Sequence, residues 1–196
     1  MRTCFAAVML TLVLASACSR SPAEPEPKAD RAELPATKKL LWTVPATWTT
    51  DQTAERGLYR ARYKIPKAGD AKHPAELLVT HIGKTTKAEL DAKHAGLVAE
   101  FEKPTEHPRR TSFAVGDIAV RMVEIAGTYK FPVGPQVGAG NQKKHAAHML
   151  KPGWRGIGAS AKTAANDTWF FKLVGPDDSV QAARSAFENM LRSVRY

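Results

Sequence analysis

The stretch Gly138 to Met149, GAGNQKKHAAHM, gathers glycines, lysines and histidines, the residue types that cradle phosphate or ligate metal. A phosphate loop of the G-x-x-x-x-G-K-[ST] kind needs a second glycine and then a lysine and a hydroxyl. Ala139 and Lys143 occupy the second-glycine position after Gly134 and Gly138, and Lys143-Lys144 lead to His145, which cannot hold magnesium as a hydroxyl would. His145 and His148 would share a face on a helix and oppose each other on a strand. Zinc needs at least a third protein ligand, and His73, His81 and His107 all lie far away in sequence. No metal and no cofactor is therefore expected, and the stretch reads as a basic loop running into a strand.

Nucleophilic chemistry finds no better footing. Gly158-Ala159-Ser160-Ala161 lacks the closing glycine of G-x-S-x-G. Glu124, close to Arg121, could be half of an acid–base pair, with Glu100 or Glu102 as its partner, but a charge pair on a sheet surface explains it equally. His94 falls on the apolar face of a helix, where a packed core histidine is expected. What remains is cationic surface. Arg60, Arg62 and Lys64 alternate along one strand and would form a row spaced about 6.5 Å apart. Arg109-Arg110 and Lys143-Lys144 are further clusters. A long loop folded over the row would gather them into one surface binding an anion or a partner.

The elements that position these residues follow from periodicity. Trp42 to Trp48 reads as a strand and turn interrupted by Pro45, with its aromatics on a core edge. Residues 57–66 alternate Tyr59, Ala61, Tyr63 and Ile65 against the cations. Residues 75–82 form a third strand, central by its apolar content. Thr86-Lys87-Ala88-Glu89 is a capping box. It opens a helix running to about Lys103, with Leu90, His94, Leu97 and Phe101 on one face and Pro104 ending it. Strands are expected over 109–115 and 118–129, joined at Gly116-Asp117, and over 154–162 and 168–174. Asp178 is the expected N-cap of a last helix whose stripe is Val180, Ala183, Phe187, Leu191 and Val194. The expected fold is α+β: an antiparallel, sandwich-like sheet of about six or seven strands packed with two main helices.

The start of the chain carries a different message. Arg2, an apolar run from Phe5 to Leu14 and small residues before Cys18 have the form of a secretory signal peptide, too short to span a bilayer. Ala15-Ser16-Ala17-Cys18 resembles the lipobox of bacterial lipoproteins. That resemblance implies a lipidated Cys18, and Ser19 after it implies the outer membrane. Cys4 would leave with the signal, so the domain would have no thiol for a disulfide, a nucleophile or a metal. Residues 19–39 hold prolines 22, 25, 27 and 35 and no aromatic, the composition of a disordered tether. The expected organisation is a signal peptide over 1–17, a lipidated cysteine and tether over 18–39, and one domain over 40–196.

Lys and Arg number 29 against 19 Asp and Glu, and without Arg2 the formal charge is +9 instead of +10. With a secretory signal, that charge points to anionic envelope material and not to nucleic acid. Pro45-Ala46-Thr47-Trp48, Tyr63 to Pro66, Ala75-Glu76-Leu77, Glu100-Phe101, Gly127-Thr128-Tyr129 and Phe170 to Pro176 resemble blocks of an uncharacterised family of Gram-negative lipoproteins. Lys93, Gly96 and Leu97 stand where that family often has asparagine and an Arg-Trp pair. The family's element order is similar to that of PsbP-type photosystem proteins, an analogy of fold alone. The resemblance implies an envelope protein facing the periplasm or cell surface, held to the membrane by its N-terminal lipid. The reading expected is a non-catalytic binding domain for an envelope protein or anionic polymer. The alternatives are an envelope-polymer hydrolase and a small-ligand carrier.

Overall fold

The computed structural model describes residues 39–51, 59–69, 71–133 and 148–196. They build strands β1 (Thr49–Thr50), β2 (Ala61–Ile65), β3 (Ala75–Lys84), β4 (Phe101–Glu102), β5 (Arg109–Val115), β6 (Ile118–Pro132), β7 (His148–Lys162) and β8 (Asp167–Pro176). Helix α1 is Lys87–Ala99 and α2 is Asp177–Arg192. All strands join one antiparallel sheet in the order β1-β2-β3-β8-β7-β6, with β4 and β5 pairing different lengths of β6. Two short meanders, β1 to β3 and β5 to β8, thus meet where β3 pairs with β8. The fold is an α+β arrangement, mostly sheet, with eight strands among the described residues.

Alternation gives the sheet two working faces. Leu77, Val79, Ile157, Ala159, Phe171, Leu173, Val120 and Met122 pack with Val180, Phe187, Met190 and Leu191 of α2 in the main core. On β6 to β8 the residues between them face α1, where Leu97, Phe101, Val123, Ile125 and Tyr129 form a second, smaller cluster. On that face β7 presents glycines. A Cβ on Gly156 would lie 2.8 Å from the Phe101 ring, and one on Gly158 would lie 2.7 Å from Leu97 Cδ2. Real Cβ atoms do not approach so closely, so the glycines let α1 settle onto the strand. Thr86 caps α1 as its capping box requires, accepting from the Glu89 amide while Glu89 accepts from the Thr86 amide at 2.7 Å.

Several expectations shift. Residues 42–48 form no strand. The expected turn is there, the Trp48 amide donating to the Pro45 carbonyl at 3.0 Å, but residues 42–45 are irregular and only Leu41 before them bridges to Arg195. Strand pairing begins only at Thr49. Helix α1 ends at Ala99, and Phe101 and Glu102 leave it to pair with Tyr129 and Thr128. Helix α2 starts at Asp177, one residue before its expected cap. Pro176 takes the N-cap position without a side-chain hydrogen bond. The stripe from Val180 to Val194 is buried as its spacing requires, and Gly116, with φ of 54°, makes the tight β5–β6 turn.

Replacing Gly158 with valine should lower stability by about 1–3 kcal/mol through overpacking against Leu97 and Phe170. Replacing Gly96, which faces open space on α1, with alanine should raise it by roughly 0.5–1 kcal/mol. Urea midpoints of the two variants, moving in opposite directions, check the packing described.

Candidate functional site

The segment from Leu40 to Val44 crosses the open end of the main core. Leu41 and Arg195 exchange backbone hydrogen bonds of 2.8 and 3.0 Å, and the Thr43 amide donates to Ser193 Oγ at 2.8 Å. Between this segment and the sheet lies a cleft of about 450 Å³, lined by Lys39 to Trp42, Val44, Tyr59, Arg60, Tyr63 and Trp169. Trp42 stands edge-on to Trp169 and to Phe171, with centroids 5.9 and 5.4 Å apart. Its indole N–H donates to the Tyr63 hydroxyl at 3.1 Å. Burial raises the Tyr63 pKa above its ordinary value of 10.0, against the lowering effect of that hydrogen bond. The phenol therefore stays protonated at neutral pH and serves as no base. On the far side of Trp169, His81 packs at 4.5 Å and meets Asp167 through Nε2 at 2.6 Å.

The cleft therefore has aromatic walls and two exposed cations, Arg60 and Lys39. No acid lines it. Such walls accept a flat apolar body, and the cations offer charge-assisted hydrogen bonds to an anion.

The cationic row does not survive as a strip. Arg60 precedes β2, out of strand alternation, and lines the cleft. Arg62 is half-buried, donating to both Glu76 oxygens at 2.9 Å, with Asp51 3.9 Å away. Only Lys64 stands exposed on the open sheet face as expected. Arg109 sits on β5, five strand spacings from β2 or roughly 24 Å, and on the α2 face. These cations therefore do not gather. Cys18, Lys143, Lys144 and His145 lie outside the described residues.

Glu124 has a structural task that sequence reading missed. It is buried and accepts from Arg109 and Arg155, each at 2.8 Å, with Arg184 3.4 Å away. Arg155 also binds Glu106 and Asp177. Burial works against the Arg155 charge, but hydrogen bonds to Asp177, Glu106 and Glu124 outweigh it and raise its pKa. The matched network fixes α2 and β5 to the sheet, and within it each acid is paired with an arginine. Of the two other candidate acids, Glu100 is bound to Lys172 and Glu102 stands exposed on β4. His94 is buried against Phe170 at 5.6 Å, its Nε2 without a hydrogen-bond partner. Among the described residues, no three of His, Cys, Asp and Glu converge as metal ligands.

No protein-family model matches the chain, and no curated protein matches it.

Two measurements test these assignments. Burial, joined by Arg110 and opposed by Asp91, lowers the His94 pKa below 6.5. The unfolded chain then binds the proton more readily. The stability His94 allows is complete above pH 6.5 and declines as pH falls below it. Melting temperatures from pH 7.5 to 5 should show this decline, and His94→Gln should flatten it. Arg155→Met should cost about 3 kcal/mol in urea, because Glu124 stays buried with fewer partners.

Proposed function

We propose that this chain is a lipid-anchored envelope protein whose domain is a non-catalytic binding module. Its ligand, taken in the Trp42 cleft, combines a flat apolar body with an anionic group. The single observation that carries the binding role is the cleft itself. It has the volume of a small-ligand site, aromatic walls and Arg60 and Lys39 at hand. Binding is favoured over hydrolysis because the acids and bases nearest one another, around Glu124, neutralise one another in a structural network. Anchoring rests on the sequence around Cys18.

The test uses an aromatic sulfonate, 1-anilinonaphthalene-8-sulfonate, titrated into the protein and followed by its fluorescence. One site of micromolar affinity is expected. Trp42→Ala and Arg60→Glu should each weaken it about tenfold, a loss of one stacking or one charged contact, while Lys64→Glu should not. Equal affinity in all three variants would remove the cleft from the function. For the anchor, Cys18→Ser should move the protein from the detergent phase to the aqueous phase and abolish palmitate incorporation.

A further inference from the structure

The last residues of β6 and the first of β7 extend beyond the neighbouring strands. Strand β8 ends at Pro176 opposite Trp154, and β4 reaches only Tyr129. Beyond these, Lys130 to Pro132 pair with His148 to Leu150, and the Lys130 amide also donates to the Glu100 carbonyl at 2.8 Å, so among the described residues Phe131 and Pro132 pair with β7 alone. This two-stranded ribbon carries four of the seven large apolar side chains exposed among the described residues: Phe131, Val133, Met149 and Leu150. A free ribbon of two strands is marginal in water, and one that also exposes apolar groups requires an explanation.

The distribution of side chains points to a specific occupant. Phe131 and Met149 are register partners and share one face, while Leu150, opposite Lys130, stands on the other. A protein surface covers one face of a ribbon, whereas a fluid interface wraps both. At the ribbon's base Tyr129 stacks on Trp154 with centroids 5.5 Å apart and planes 3° from parallel, and Phe131 meets Trp154 edge-on at 6.5 Å. Lys130 and Lys151 flank these rings, half-exposed, and residues 129–133 and 148–154 include no acid. Exposed apolar groups followed by a half-exposed tryptophan and two lysines match the depth profile of a bilayer surface, while Tyr129 stays in the core beneath them. Apolar groups enter the acyl region, the Trp154 ring lies at the headgroup level, and ammonium groups meet phosphate.

We infer that the β6–β7 ribbon inserts into the surface of an anionic phospholipid bilayer through Phe131, Val133, Met149 and Leu150, with Lys130 and Lys151 on the headgroup phosphates. The inference does not depend on the cleft or on Cys18.

A tryptophan at the tip reads the insertion directly. Full-length protein carrying Phe131→Trp is mixed with phosphatidylglycerol vesicles whose acyl chains are brominated near the headgroup end, and the wild type supplies the background. The added emission should be quenched. Quenching should fall at least about fivefold when Met149→Ser and Leu150→Ser are added, since each removes buried apolar area. It should fall likewise when phosphatidylcholine replaces phosphatidylglycerol or salt is raised. Unchanged melting temperatures certify that the variants fold. A tip tryptophan untouched by bromine would overturn the inference, whether or not the chain is held to the vesicle by its N-terminus. So would quenching indifferent to Met149 and Leu150, or a concentration-dependent dimer that buries the tip with vesicles absent.

Discussion

A second helix can lie on this sheet only where β7 has no side chain to hold it off. Gly156 and Gly158 provide that strip, and Leu97 and Phe101 fill it at van der Waals distance. The rest of the layout follows. Helix α1 is drawn over β6 to β8, and its exit at Phe101 falls beside Tyr129, so β4 can pair there. Among the described residues no helix covers the same face over β2 and β3, and there Glu76 and Arg62 meet at the sheet surface. On the opposite face, where Ile157 and Ala159 alternate with the glycines, the larger side chains are free to build the main core with α2. One strand thus sets both the closeness of one helix and the thickness of the core under the other.

Much of this was legible in residue order. Alternation in β2, β5 and β6, the capping box at Thr86, the turn at Gly116 and the stripe of α2 are local signals, and local signals survive folding when tertiary packing agrees with them. The places where reading failed are those that depend on a distant neighbour. Arg62 looked free because its partner Glu76 lies on the next strand, and only the register Lys64 to Glu76 brings the carboxylate within reach. Glu124 looked like a surface acid because its arginines come from β5, β7 and α2. Trp42 to Trp48 had the composition of a strand, yet its irregular path is set by the C-terminal residues 193–195. Periodicity tells which face a side chain takes and says nothing of which element stands across from it.

The cleft illustrates the same limit from the side of function. Its walls come from residues 39–44, 59–63 and 169, three stretches with no motif in common. The aromatics at Trp42 and Trp48 signalled a core edge, which is true, but the signal cannot say that Trp48 is buried while Trp42 lines an opening. The charges that dominate the composition were the louder signal and the poorer guide. Most described arginines are occupied by carboxylates in place, so the excess positive charge is carried largely by lysines. Lysine keeps its charge hydrated on a flexible stem, and spread over a surface it supplies long-range attraction without a defined geometry.

The cleft and the apolar ribbon stand at opposite ends of the same strand. Trp169 lies near the start of β8 and Pro176 closes it beside Trp154, a separation of roughly 20 Å along an extended strand. A rigid sheet held at a bilayer by its ribbon would therefore present the aromatic opening away from the headgroups, in water. That geometry suits an anionic amphipathic ligand. Near the membrane surface, the negative potential that attracts Lys130 and Lys151 would repel such a ligand, and within two Debye lengths of it in physiological salt the repulsion has decayed severalfold. Placing the two proposed sites at the two ends of β8 would let one chain use the same sign of charge for two opposed tasks, adhesion to lipid and capture of an anion, without the first suppressing the second.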